Sequence, residues 1–323
     1  MLRRAIVEMN EAEEQIIKLR LDEDPNSFPS EDMMGEVRKE SPEVQCYGNT
    51  FDVFKAKWVD RGWVAAKRFR MRDWAPSGKE ERRFKRQVNI WRTLKHANIL
   101  PLLGVRKFEE NRPPYLISPW MKYGNVRQYL RDFPQADKLK LIHEVALGLQ
   151  YLHSLAILHG NLNGSNVLVD RKHRVRLNGF SLSKEITEDT MRTNSNNNSG
   201  LFRWWAPEAL QNQGLSEQSD IWSFGMTALE ILSGALPYKD DNCALAARDA
   251  IIDHILPEPE DYDKEIATEN EWALMRRCWE AYGSRPDIGD VASVLREERI
   301  KKGWNPDAPP PDHTLYDEFS MSF

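Results

Sequence analysis

Residues 219–232, SDIWSFGMTALEIL, are apolar on nearly every side of a 3.6-residue spiral. A surface helix carries one apolar stripe, whereas a helix that is apolar all round must be enclosed. The segment therefore predicts a helix in the middle of a lobe, with partners on all sides. The flanking sequence supplies them. Leu141, Val145, Leu149 and Leu152 fall on one face of another helix, and the pattern stays mainly helical from about 125 to 298. A chain of 323 residues is long enough for one large domain or two lobes with ample core.

Upstream the period changes from helical to alternating. DVFKAKWV, WVAAKRFR and PYLISPW read as short strands between about 43 and 120, and one helical stretch at roughly 79–95 interrupts them. The expected class is α+β and bilobal, with a small β-rich lobe over 43–120 carrying one helix and a larger, mainly helical lobe over 121–298. Residues 1–42 are expected to form an N-terminal helix and an acidic linker. Within 2–21, Leu2, Ala5, Met9, Ala12, Ile16 and Leu19 share a face. Such a helix either docks on its own domain or pairs in a coiled coil, which is marginal at fewer than three heptads. Pro25 and Pro29 among acids mark 22–32 as linker, EDTMRTNSNNNSG at 188–200 as a mobile loop, and DAPPPD within 299–323 as part of a disordered tail.

The net charge of −5 is informative because of where it lies. Residues 1–40 hold eleven acids and six bases, so the remainder is neutral overall. That balance gives no electrostatic reason to expect nucleic acid or an anionic membrane as partner. No apolar run is long enough to span a bilayer, and Arg3 and Arg4 are not followed by the apolar core of a secretory signal. Cys46, Cys243 and Cys278 are too few and too scattered for a disulfide framework or a zinc site. A cytoplasmic or nuclear location is expected.

Nine short motifs follow one another in order. They are GNTFDVFK (48–55), VAAK (64–67), HANIL (96–100), SPWMKYGN (118–125), HGNLNGSNVLV (159–169), LNGFSLS (177–183), WWAPEAL (204–210), SDIWSFG (219–225) and RRCW (276–279) with Arg285-Pro286. Singly each is weak. Together, in this order over 43–298, they resemble the landmarks of a protein kinase domain of the tyrosine-kinase-like branch. The resemblance implies a glycine-rich loop at Gly48, a phosphate-binding lysine at Lys67, a hinge at Ser118–Met121 and a catalytic loop at His159–Asn166. It implies a buried ion pair between Glu208 and Arg285, and Asp220 accepting hydrogen bonds from the catalytic-loop backbone. Trp205, Trp222 and Trp279 read as core.

The same resemblance shows what is missing. Phosphoryl transfer depends on positioning and charge neutralisation, with carboxylates holding magnesium and orienting the acceptor hydroxyl. The catalytic Asp position holds Asn161, an isosteric amide that cannot act as a base near neutral pH. Loss of such a base typically costs ~10²–10⁴-fold. The lysine expected two residues later is Asn163. Counting thirteen residues on from Asn166 puts Gly179 at the metal-binding Asp, and glycine offers a hard cation no ligand. Asn178 beside it faces the other way in an extended segment. Gln87 replaces the glutamate partner of Lys67, Cys46 and Phe51 replace two of the three loop glycines, and Gly160 replaces the arginine that receives an activation-loop phosphate. Phosphorylation of Thr190, Thr193 or Ser195 is thus not expected to act as the usual switch.

What remains is a slot of purine size. By resemblance Val53, Ala65 and Leu168 would enclose a base, Ser118 is the small gatekeeper, and after Pro119 the backbone N–H groups of Trp120 and Met121 would face it. Lys67 and Asn166 are then either inherited structural residues or the core of a site for ATP or ADP without tightly held magnesium. The expected function is that of a pseudokinase, a scaffold or allosteric regulator with protein partners. The alternatives are an unconventional active kinase, in which Asp170, Glu188 or Asp189 would reach the metal, and a nucleotide sensor without catalysis.

Overall fold

The computed structural model describes residues 37–39, 46–47, 51–58, 62–69, 79–106, 114–179, 199–239, 244–262 and 266–305. The helix expected at 2–21, the linker, Gly48, Phe180 and Ser181, the Asn-rich residues 188–198 and the tail from 306 lie outside them. So do the side chains of Cys46, Phe51 and Gln87. The chain divides after Met121 into two compact units.

The first unit is an antiparallel sheet of β1 (Val37–Lys39), β2 (Cys46–Tyr47), β3 (Phe51–Trp58), β4 (Gly62–Phe69), β5 (Gly104–Arg106) and β6 (Tyr115–Pro119), with helix α1 (Lys79–Thr93). The strand order is β1-β3-β4-β6-β5, and β2 pairs with β3. The β3 sequence FDVFKAKW alternates, so one register sends Phe54, Ala56 and Trp58 to one face. There they meet Val37, Val64, Ala66, Tyr115 and Ile117 in a sealed cluster. The pairings Val53↔Lys67, Lys67↔Leu116 and Ala65↔Ser118 put the expected ligand-facing residues together on the other face. α1 contains neither Gly nor Pro, and its apolar residues Phe84, Val88 and Trp91 form one buried stripe.

The second unit is built around the helix that the sequence places in its centre. α5 (Glu217–Ser233) is buried at every residue from Ser219 to Leu232. Ser216 and Ser219 form a reciprocal capping box at its start, and Gly234 in the left-handed region ends it. Around it lie α2 (Val126–Asp132), α3 (Lys138–Ser154), the hairpin of β7 (Val167–Val169) and β8 (Val175–Leu177), α4 (Pro207–Leu210), α6 (Ala244–Ile252), α7 (Glu269–Cys278) and α8 (Ile288–Lys301). Leu141, Val145, Leu149 and Leu152 of α3 are all buried, as are Trp205, Trp222 and Trp279. Trp279 comes so close to α5 that a Cβ at Gly225 would lie 2.5 Å from its indole nitrogen.

One boundary differs from expectation. The sequence places a tail from 299, but α8 continues to Lys301 and the chain folds back onto it at Trp304. The Arg299 guanidinium lies 4.1 Å from the Trp304 ring centroid, and Trp304 packs edge-on against His143 at 5.8 Å. The reason is local. Trp304 buries apolar area against α3 and α8, and only beyond Asn305 does proline-rich chain begin.

Candidate functional site

The loop His159–Asn166 is positioned from below by the buried helix. Asp220, in the first turn of α5 and 1% exposed, accepts the backbone N–H groups of His159 and Gly160, both at 2.8 Å. It also takes the His153 Nε2 at 3.0 Å. Gly160, at φ +67°, adopts the left-handed turn that this double capture requires. His159 is wholly enclosed, and burial holds its imidazole down at about 4, against the pull of the Asp220 charge. The ring is therefore neutral, and its Nδ1 accepts the Asn161 N–H at 3.3 Å. Glu208 and Arg285 form a bidentate pair at 2.6 and 3.0 Å, enclosed in the same unit.

Above that foundation stand three amides. Asn163 Nδ2 donates to the Asn161 carbonyl at 2.9 Å and to its side-chain oxygen at 3.2 Å. Asn166 Nδ2 donates to the same carbonyl at 2.7 Å, and Asn163 Oδ1 caps the Ser165 N–H at 3.0 Å. These bonds link the cluster without a charge. Gly179 then closes it. β8 ends at Leu177, so 178–179 is not the extended segment the sequence suggests, and Gly179 turns at φ +75°. A Cβ there would stand 2.7 Å from Asn166 Cγ and 2.9 Å from its Nδ2. The Asn166 amide fills the space where a metal-binding side chain at 179 would begin.

The residues present therefore do not fit a magnesium ion at this point. Position 179 has no donor, 161 and 163 are neutral, and Asp170 is committed elsewhere. Asp170 accepts the Lys172 and Arg174 N–H groups at 2.8 and 3.0 Å and pairs with Arg174 at 3.1 Å and Arg176 at 3.4 Å. It holds the β7–β8 turn. Glu188 and Asp189 lie outside the described residues. Among the described residues no cluster of three or more His, Cys, Asp or Glu side chains is placed to hold a metal ion.

The first unit offers a different set of groups. Lys67 is 5% exposed, with its Nζ 5.1 Å from the Trp91 ring centroid. Ser118 Oγ is buried with no hydrogen-bond partner. Val53 is half-buried and Ala65 buried. At the hinge the expectation of two available donors needs correction. The Trp120 N–H is committed to the Trp63 carbonyl at 3.2 Å, because the β4–β6 pairing runs one residue past the Val64↔Pro119 partners. Of the two hinge N–H groups expected from the sequence, this leaves that of Met121. Lys55 lies over the same two tryptophans, 3.9 Å from the Trp63 ring centroid and 5.5 Å from that of Trp120. In the second unit Leu168 sits half-buried in β7, bridged to Asn125.

Two participants escape sequence reading. Glu230 is a buried acid within the apolar helix, accepting Gly164 N–H at 2.8 Å and Trp204 Nε1 at 2.9 Å beside Arg127. Burial pushes its carboxyl above the usual range, and Arg127 pulls it back. A Cβ at Gly164 would lie 2.6 Å from Glu230 Cδ, so this glycine is required by close approach. The visible signal is an acid well inside the apolar run of SDIWSFGMTALEIL, ten residues after Asp220. The second is Trp91, one helical turn after Gln87.

A family model described as protein tyrosine and serine/threonine kinase matches residues 46–295. The chain belongs to this family. Its kinase domain is 29% identical over 255 residues to the tyrosine-protein kinase SPK-1 of Girardia tigrina, covering 76% of this chain and 49% of that protein. It is 29% identical over 236 residues to the serine/threonine/tyrosine-protein kinase HT1 of Arabidopsis thaliana, covering 70% and 57%. It is 28% identical over 278 residues to the inactive tyrosine-protein kinase 7 of Mus musculus, covering 77% and 24%. The chain thus spans about half the length of the first two relatives and a quarter of the third. Relatives named as kinases and one named as inactive stand at nearly equal identity, so identity alone does not decide turnover in this kinase domain. No described helix is long and apolar enough to cross a membrane.

Proposed function

We propose that this kinase-fold chain is a pseudokinase, acting as a scaffold or allosteric regulator in intracellular signalling with little or no phosphotransfer. One observation carries the reading. Gly179 occupies the metal-binding position, and the Asn166 amide packs against it where a ligand side chain would start. The neutral amides at 161 and 163 remove the base and the phosphate-facing cation from the same loop, so positioning and charge neutralisation fail together. The partners are proteins, since the near-neutral chain beyond residue 40 offers no field for nucleic acid or membrane. Phosphate transfer to a generic protein substrate, followed with labelled ATP in magnesium and in manganese, tests this. Transfer no faster than that of Lys67→Met supports the reading, and robust transfer abolished by Lys67→Met overturns it.

A second reading has its own support. Lys67, the buried Ser118 Oγ and the Met121 N–H lie in one unit and form the polar outline of a nucleotide sensor that needs no metal. A ligand at a hundred times its dissociation constant stabilises by about 2.7 kcal/mol. In a domain of this size that raises the unfolding midpoint by about 5–10 °C. Such a shift with ATP in EDTA supports the sensor. A shift that requires magnesium would instead revive an active enzyme.

A further inference from the structure

We propose that the sheet face bearing Lys55, Lys57, Trp63 and Trp120 is a docking site for an extended acidic segment of a partner protein, one with carboxylates two residues apart and an aromatic side chain beside them.

The face follows from the strand period. Phe54, Ala56 and Trp58 of β3 turn into the sealed cluster, as do Val64 and Ala66 of β4. The residues between them point the other way, which puts Lys55 and Lys57 on the same side as Trp63. The register sets Trp63 directly opposite Lys57. Lys55 Nζ lies within cation–π range of both indoles, 3.9 Å from the Trp63 centroid and 5.5 Å from that of Trp120. All four residues belong to the first unit.

Both the apolar area and the charge of this face are unbalanced. Trp63 is 40% exposed, and among the described residues of the first unit it is the one large apolar side chain left exposed. A single such residue needs no explanation, but this one stands with a second, half-buried tryptophan. Tryptophan is the type most enriched where binding energy concentrates. On the opposite face of the same strands Arg68 has its acid, Asp52, at 3.2 Å. Lys55 and Lys57 have no carboxylate partner among the described residues. The occupant follows from this pattern. Side chains two apart on a strand point the same way and stand about 7 Å apart, so the two lysines match carboxylates at alternate positions of an extended chain. A carboxylate on Lys55 Nζ lies beside the indoles, where an aromatic neighbour gains ring contact and excludes water from the ion pair. A nucleic-acid strand also combines anions with stacking bases, but two lysines in a chain of net charge −5 are a poor match for a polyanion. The surface stands whether or not the chain transfers phosphate.

The test is carbodiimide coupling of the full chain to the peptide acetyl-Glu-Ser-Glu-Ser-Phe-amide at millimolar concentration, with the coupled lysines located by mass spectrometry. Lys55 and Lys57 should couple about ten-fold more than the exposed Lys122 and Lys239. Trp63→Ser keeps both lysines and should bring their coupling down to that of Lys122, with circular dichroism checking that the variant is folded. Replacing the peptide's Phe by Ala should fall between the two. Coupling spread evenly over the lysines, or unchanged in Trp63→Ser, would overturn the proposal and leave a surface of ordinary charge. Displacement of the peptide by an equal concentration of oligothymidylate would also overturn it, in favour of a nucleic-acid site. Residues 22–36 carry six acids and no base and lie outside the described residues. Coupling of Lys55 or Lys57 to that segment without peptide, within one chain or as a cross-linked dimer, would overturn the partner in favour of this chain or a second copy.

Discussion

The floor of the catalytic loop and its upper side are a few residues apart and follow opposite rules. Below, charges are kept and enclosed: Asp220 on two backbone N–H groups, Glu230 on Gly164 and Trp204, Glu208 on Arg285. Above, at 161, 163 and 179, the expected charges are gone, and amides and a glycine stand in their place. The difference is physical. A carboxylate that serves the fold has its donors inside the protein, so removing it strands buried groups. A carboxylate that serves a ligand has its partners in that ligand. Amides stand in its place and bond to one another, as Asn161, Asn163 and Asn166 do. The fold can therefore be kept when those ligand-facing charges are absent.

The largest effect expected is at the floor. Arg285→Ala leaves Glu208 charged, buried and unpaired, and should cost about 3–5 kcal/mol in chemical denaturation. A loss under about 1 kcal/mol would break the comparison, since the floor would then be no more demanding than the top. Gly225→Ala should come next. Alanine favours a helix by up to about 1 kcal/mol over glycine, but the added methyl meets Trp279 Nε1 at 2.5 Å and Cys278 Cβ at 2.8 Å. Overpacking of this kind costs about 1–3 kcal/mol, so a net loss is expected. Gly179→Ala probes the top directly. The left-handed backbone costs a non-glycine residue about 1–2 kcal/mol, and the Asn166 amide must also shift.

A smaller effect concerns pH. His143 on α3 is buried beside Arg299, whose NH1 donates to its Nδ1 at 2.9 Å, with Arg296 nearby and Trp304 against the ring. Burial, reinforced by these positive charges, lowers its pKa from 6.5 to about 4. The unfolded chain takes up this proton more readily than the folded one. The stability linked to His143 is therefore complete above about pH 6.5 and lost as pH falls toward about 4. In His143→Gln the fall of the unfolding midpoint between these pH values should be shallower than in wild type. A slope unchanged by the substitution would remove His143 from the account. The smallest effect is expected at Asn161→Asp, an isosteric change at a half-buried amide whose accepting oxygen is kept, and it should stay within about 0.5 kcal/mol. It should restore no phosphotransfer by itself, because Gly179 still lacks a ligand. A measurable gain in turnover would sharpen the comparison into one of degree.

The order of motifs, the change of period near residue 120 and the all-round apolar helix were legible in the chain because they are local. Each needs only a few neighbouring residues to be recognised, and α1, α3 and α5 form where their periods place them. The substitutions at 87, 161, 163 and 179 were legible for the same reason. The sequence could not show what fills the space they vacate. The packing of Asn166 against Gly179, the Trp120 N–H taken by Trp63, the contact of Trp91 with Lys67 and the return of Trp304 onto Arg299 all join distant or differently oriented segments. Residue identity determines which charges this protein lacks. Only the tertiary structure, by bringing distant groups into contact, decides that the Asn166 amide lies where a side chain at 179 would begin.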